Sequence, residues 1–273
     1  MPILHLAILA IVQGITEFLP VSSSGHLVLL PNLAGWEDQG LNIDVATHVG
    51  TLGAVIIYFW RDILSIPASF VVRKRRDLRV ARQLGLNILV SLPPVLIAGA
   101  CLVYFAPDFF RSPIIIAYTM IVFAVILWVA DRIGLTIRRV EHMTIASAAL
   151  IGLVQMIALI PGTSRSGVTI TAARFLGFER AAAARFSMLI SIPVIAAAGA
   201  SSGKELLLTK SEVVTTEAGI AAGLAFATAL IAISVFMRFL KSYSFTPFII
   251  YRLLLGCALL ILFYGLDWSS NIY

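Results

Sequence analysis

Charge is what this chain lacks most. Asp, Glu, Lys and Arg together make up 12% of its 273 residues, while 60% are apolar. Ordinary soluble domains run at about 25% charged and about 45–50% apolar. Mean hydropathy is +0.98. At this length no interior can hide that much apolar surface, so much of it must face lipid. A soluble globular enzyme, a disordered chain and a nucleic-acid-binding domain are excluded. Cysteine is nearly missing as well: Cys101 and Cys257 each sit within an apolar run, and no disulfide framework or metal-ligand spacing follows from them. The opening MPILHLAILA has no Lys or Arg, so it lacks the charged n-region of a cleaved signal peptide. The chain reads as an all-α polytopic membrane protein forming one integral membrane domain over 1–273.

The charge that is present is unevenly placed. The net charge is +6, and the basic residues fall between apolar runs, as in cytoplasmic loops beside anionic lipid. Six runs approach the roughly 20 apolar residues that a spanning helix needs: about 43–60, 84–105, 113–130, 183–202, 217–238 and 246–265. Two further regions, 3–36 and 143–180, are each broken at a proline, Pro20 or Pro161, and resume for only about ten residues. A second limb that short cannot cross, so each reads as a re-entrant hairpin, with its non-helical tip buried in protein or lining a cavity. Arg61, Arg73, Lys74, Arg75, Arg76, Arg79 and Arg82 follow the first span, and the positive-inside rule puts them in the cytoplasm. Counting onward, Arg132, Arg138, Arg139, Arg238 and Lys241 are inside. Asp108 and Arg111, the loop from Lys204 to Glu217 and both termini are outside.

The two hairpins resemble each other. Gln13–Gly25 reads QGITEFLPVSSSG and Gln155–Gly167 reads QMIALIPGTSRSG; AGWED at 34–38 parallels LGFER at 176–180. A full span follows each. The copies, about 1–60 and 143–202, enter from opposite faces, which makes an inverted-topology repeat, whose substrate sites usually lie where broken helices meet.

Ionisable groups within a membrane mark function by default. Gln13 and Glu17 lie four apart on one helix face. The first tip adds Ser22, Ser23, Ser24, Gly25 and His26, and the second Thr163, Ser164, Arg165, Ser166 and Gly167. Each tip opens a short helix whose first N–H groups have no internal partner, and Ser or Thr followed by Gly at such a start makes an anion seat. Arg165 brings a planar fork of donors that suits phosphate. Two facing seats match a diphosphate. Glu17, helped by Gln13, would then hold a divalent cation, Mg²⁺ or Ca²⁺, between carboxylate and phosphate. His26, an imidazole with an ordinary pKa near neutrality, would act as base to a serine nucleophile such as Ser23 or to a water that the serine positions, while direct attack by water or by His26 itself fits the same residues. His48 reads as structural, and the Gly/Ala/Ser stretches at 194–203 and 218–228 read as close helix packing.

The motifs QGITEFLPVSSSGH (13–26) and PGTSRSG (161–167) resemble the two signature motifs of the bacterial undecaprenyl-diphosphate phosphatases, also called bacitracin-resistance phosphatases. The likeness runs the length of the chain in span pattern and motif order. It implies an inner-membrane enzyme, dependent on a divalent cation. The enzyme would remove the terminal phosphate of undecaprenyl diphosphate at the periplasmic face, recycle the carrier for the cell wall and confer bacitracin resistance. By the same resemblance the acidic motif maps to Gln13 and Glu17, the serine–histidine motif to Ser22, Ser23 and His26, and the essential arginine to Arg165, flanked by Thr163, Ser164 and Ser166. Expected partners are the polyprenyl diphosphate, membrane lipid and at most a second copy of the chain. The competing expectation is a transporter or flippase of polyprenyl phosphate on the same inverted repeat, since many secondary transporters are built this way.

Overall fold

The computed structural model describes residues 2–37, 39–72, 78–105, 113–208 and 212–265. The Arg73–Arg76 run, Asp38 in the AGWED stretch, the Asp108–Arg111 loop, Lys210 and 266–273 lie outside the described residues.

Apolar length decides the elements. Among the described residues six helices are long and apolar enough to cross a membrane: α3 (Gly40–Tyr58), α5 (Arg79–Phe105), α6 (Pro113–Ile133), α9 (Arg180–Leu208), α10 (Glu212–Phe239) and α11 (Thr246–Gly265). These are the six spans read from the sequence. The helices at the two broken regions are shorter: α1 (Ile3–Thr16) with α2 (Ser23–Ala34), and α7 (Ile145–Gln155) with α8 (Arg165–Phe175). At about 1.5 Å per residue none of them reaches across about 30 Å of hydrocarbon. Two details differ from the sequence reading. The run expected to be helical to residue 160 tightens into a 3₁₀ turn at Met156–Leu159, a common finish where the last carbonyls lose their partners. The segment taken as loop after the first span forms α4 (Trp60–Val71), whose Ile66 and Phe70 lie close to Gly85 of α5.

Each short pair folds back on itself. His5, near the start of α1, stacks on Trp36, just past α2, with ring centroids 3.8 Å apart. In the second pair the entry strap meets the exit: Arg138 and Phe178 form an isolated parallel bridge, and the Glu179 amide donates to the Arg138 carbonyl at 2.8 Å. The two open ends sit at opposite ends of the bundle. The first leads into the start of α3. The second lies at the basic end, where Arg180 pairs with Asp131 at 2.7 Å, Arg185 with Asp62 at 2.6 Å and Arg139 with Glu179 at 3.4 Å.

Packing exchanges partners between the halves. α10 lies against α1 and α3, while its counterpart α5 lies against α7 and α9; α6 and α11 pair with each other. Glycine allows these close approaches. A β-carbon on Gly14 would collide with Thr228 and Ala225, one on Gly50 with Ala222, and one on Gly152 with Ser91. The 218–228 stretch therefore serves packing, as its composition suggests. A core that includes Phe18, Phe178, Phe186, Phe236 and Phe245 fills the centre.

Candidate active site

The two tips share one backbone turn and one capping arrangement. Ser22 and Ser164 are the non-glycine residues with positive φ among those described, at 73° and 70°. Each is an N-cap, accepting from the amide three residues on: Gly25 N to Ser22 Oγ at 3.3 Å and Gly167 N to Ser164 Oγ at 3.1 Å. In each, that hydroxyl lies beside a second one, that of Ser24 or Ser166. The repeat read in the letters is therefore also a repeat in backbone geometry. The left-handed residue turns the chain sharply, and its side chain satisfies a first-turn donor.

Equivalent positions carry different chemistry. Ser23 and Arg165 both follow the capping serine, and both bind Glu17. The Ser23 hydroxyl donates to Glu17 Oε2 at 2.7 Å, Arg165 Nη2 donates to Oε1 at 2.9 Å, and Gln13 Nε2 donates to Oε2 at 2.8 Å. In the second copy Gln155 is kept, but Leu159 stands where Glu17 would be. One carboxylate is thus held by both tips. Glu17 is 7% exposed, and Arg165 Nη1 is buried with no partner among the described residues. A buried donor that finds none is costly and is met when an acceptor arrives.

His48 approaches the same carboxylate. Its Nδ1 donates to the Asp44 carbonyl at 2.7 Å, so a neutral ring presents its Nε2 lone pair, 3.6 Å from Glu17 Oε2. A cavity of about 300 Å³ is walled by Glu17, Arg165 and His48, by Leu41, Asp44 and Val45 of α3, and by Val194, Ile195, Ala198 and Gly199 of α9. The start of the 194–203 stretch thus lines the cavity as well as packing. Sequence reading left the facing of His48 open; its spacing of four from Asp44 on α3 is the only signal it offers.

The remaining sequence candidates divide sharply. His26 does not line this cavity. Its Nδ1 donates to the Ser22 carbonyl at 2.7 Å, and the Tyr251 hydroxyl meets Nε2 at 2.5 Å. Among the described residues it bonds no serine hydroxyl. Ser22, Thr163, Ser164 and Ser166 are buried, and their hydroxyls hold the fold: Ser166 donates to the Leu19 carbonyl of the other tip at 2.8 Å, and Thr163 to Ile160 at 2.7 Å. The Gly25 and Gly167 amides are taken by the caps. Ser23, Glu17, Arg165 and the exposed Ser24 remain for a ligand.

Arg252 was not singled out by the sequence reading. It is 0% exposed and reaches both tips, donating to Pro20 O at 3.4 Å, Gly162 O at 2.9 Å and Thr163 O at 3.0 Å. Thr119 adds a bond to Pro161 O at 2.7 Å. With Tyr251 on His26, α11 clamps the two breaks together. Buried arginine donating to main-chain carbonyls is how charge is tolerated inside a membrane protein. Within an apolar span Arg252 was visible only as a charge out of place.

The residues also bear on a cation. Beside the Glu17 carboxylate, Gln13 Oε1 is buried with no partner among the described residues, which is a fit for a hard, oxygen-preferring ion. Among the described residues no three His, Cys, Asp or Glu side chains gather as a ready-made ligand set. An ion there would take the rest of its ligands from substrate and water, as Mg²⁺ commonly does.

Comparison with known proteins agrees with this arrangement. The family described as Bacitracin resistance protein BacA matches residues 6–258. The chain is 49% identical to the undecaprenyl-diphosphatase of Ruegeria pomeroyi over 95% of this chain and 98% of the relative. It is 48% identical to that of a Jannaschia species over 97% and 100%, and 46% identical to that of Saccharophagus degradans over 99% and 100%. With the match spanning both broken-helix motifs and all six spans, the chain belongs to the bacitracin resistance protein BacA family.

Proposed function

We infer that this chain hydrolyses undecaprenyl diphosphate to undecaprenyl phosphate and inorganic phosphate. The observation that carries the reading is one buried carboxylate shared by a serine hydroxyl and an arginine that still has a donor to offer. Phosphoryl transfer asks little of the protein beyond positioning and charge stabilisation, and this cluster supplies both. Arg165 would receive the terminal phosphate and stabilise its charge as the bond to the bridging oxygen lengthens. Ser23 Oγ would attack phosphorus while Glu17 takes its proton; undecaprenyl phosphate leaves, and water then releases inorganic phosphate from the serine. Glu17 and Gln13 would hold the divalent cation, which when bound neutralises phosphate charge. His48 is placed to serve the cavity as its imidazole, and His26 to hold the Ser22 turn against Tyr251. Transport would need an anion seat but gives no reason for a serine hydroxyl on the carboxylate.

The apolar wall of α3 and α9 suits the isoprenoid tail. The α3 residues of the cavity, 41–48, lie in the half of the helix away from the basic end. With the basic end cytoplasmic, this supports a multi-pass inner-membrane enzyme whose hairpins are re-entrant and whose site opens to the periplasm. The test is phosphate release from undecaprenyl diphosphate by purified protein in detergent, with and without chelator. Release that stops on chelation supports the reading, and a full-length, folded protein that releases none refutes it. Ser23→Ala that still accumulates a covalent phosphoenzyme would remove Ser23 as nucleophile.

A further inference from the structure

A second cavity, of about 380 Å³, lies at the basic end and takes no part in the chemistry above. It is lined by Tyr58 at the end of α3, Ala181 at the start of α9, Ser234, Val235, Met237 and Arg238 of α10, and Lys241 just beyond. Three carboxylates at this end are engaged elsewhere: Asp62 by Arg185, Asp131 by Arg174 and Arg180, and Glu179 by Arg139. Among the described residues Arg238 and Lys241 have no acidic partner, so their charge is uncompensated where the cavity opens.

Two features fix the depth and the chemistry of what fills it. Helix α4 begins two residues after Tyr58, and Trp60, Leu64 and Val71 form one exposed apolar stripe along it, with Trp60 51% and Val71 83% exposed. An amphipathic helix with such a face rests at the boundary of headgroups and acyl chains, and this places Tyr58 and the cavity at headgroup level. On the other flank of α10 an apolar groove of about 340 Å³ runs along Ile15, Leu19, Ile231, Phe236 and Phe248; Val235 borders both spaces. A basic, hydroxyl-bearing recess thus adjoins a dry groove. Leu19, one of the residues that line the groove, accepts Ser166 across the two tips through its carbonyl.

We propose that this recess binds the headgroup of an anionic phospholipid, with Arg238 and Lys241 on its phosphate and an acyl chain in the groove beside Leu19. Basic pockets between spanning helices are suited to such headgroups, and the facing leaflet is the anionic one. A free phosphate ion shares the headgroup's charge but has nothing to place in the groove.

The test uses full-length protein in nanodiscs of dioleoylphosphatidylcholine, with or without dioleoylphosphatidylglycerol, read by native mass spectrometry on release. Wild type should retain phosphatidylglycerol in preference to phosphatidylcholine. Arg238→Gln combined with Lys241→Gln should weaken that retention about thirty-fold, the worth of two interfacial charges, with phosphate release in lipid-free detergent unchanged. Ala181→Trp keeps both charges and fills the recess, so it should lose the lipid as well. Added inorganic phosphate should not displace the lipid. Equal retention of both lipids, unaltered retention in either variant, or displacement by inorganic phosphate would each overturn the proposal.

Discussion

At the scale of single residues, the proposed function rests on the few polar groups that Glu17 gathers. Arg165 is the sharpest test. Replacing it with alanine removes the donors for phosphate and should cut turnover by about 10²–10³-fold, the usual cost of losing one preorganised charge stabiliser. Phosphate release beside an unchanged size-exclusion profile is the measurement, and near-normal turnover would remove Arg165 from the site. Glu17→Gln keeps the shape and the Ser23 contact but gives up the charge. It should abolish turnover and also reduce Mn²⁺ binding followed by electron paramagnetic resonance, which a purely structural glutamate would leave alone. His48 and His26 make opposite forecasts. His48→Ala should lower turnover without moving the melting temperature, whereas His26→Ala, which frees Tyr251 and the Ser22 turn, should lower the melting temperature too. The motif residues were legible in the sequence because charge and hydroxyl groups stand out against an apolar run. His48 read as structural and Arg252 was not singled out, because their contacts lie 31 and more than 200 positions away along the chain.

Individual elements show why the breaks are where they are. The first limbs end at Thr16 and Gln155, Pro20 and Pro161 fall in the turns that follow, and a capping serine in a left-handed conformation opens each second limb. That conformation strains any residue with a β-carbon, so the cap and the strain can be separated by substitution. Ser164→Gly loses the cap but relieves the backbone and should cost a few tenths of a kcal/mol. Ser164→Ala keeps the strain, loses the cap and should cost about 1–2 kcal/mol, read as a difference in denaturation midpoint in detergent. The existence of both breaks could be read from one-dimensional apolar length and proline, and their cap chemistry from Ser-x-x-Gly. Helix α4 could not, because a 12-residue segment leading into a basic run satisfies loop and interfacial helix equally well on composition. Its assignment needed Ile66 and Phe70 to be seen against Gly85.

For the whole molecule, topology follows from where the cations lie, and it is open to direct test. With Cys101 and Cys257 replaced by serine, Leu41→Cys should react with an impermeant maleimide in intact cells, and Lys241→Cys only after permeabilisation; the reverse pattern would invert the protein. The six spans were legible because each is a single long apolar run. The exchange of α5 and α10 between halves was not, since helix partners depend on glycine contacts such as Gly14 with Ala225 and Gly152 with Ser91, and the sequence shows only one side of each. Arg252 gives the architecture a temporal meaning. The clamp that joins both tips sits on α11, the last helix among the described residues, so a ribosome must thread nearly the entire polypeptide into the bilayer before the proposed site can close. Products stalled just before α11 would carry both tip motifs without the Arg252 clamp and are expected to be inert.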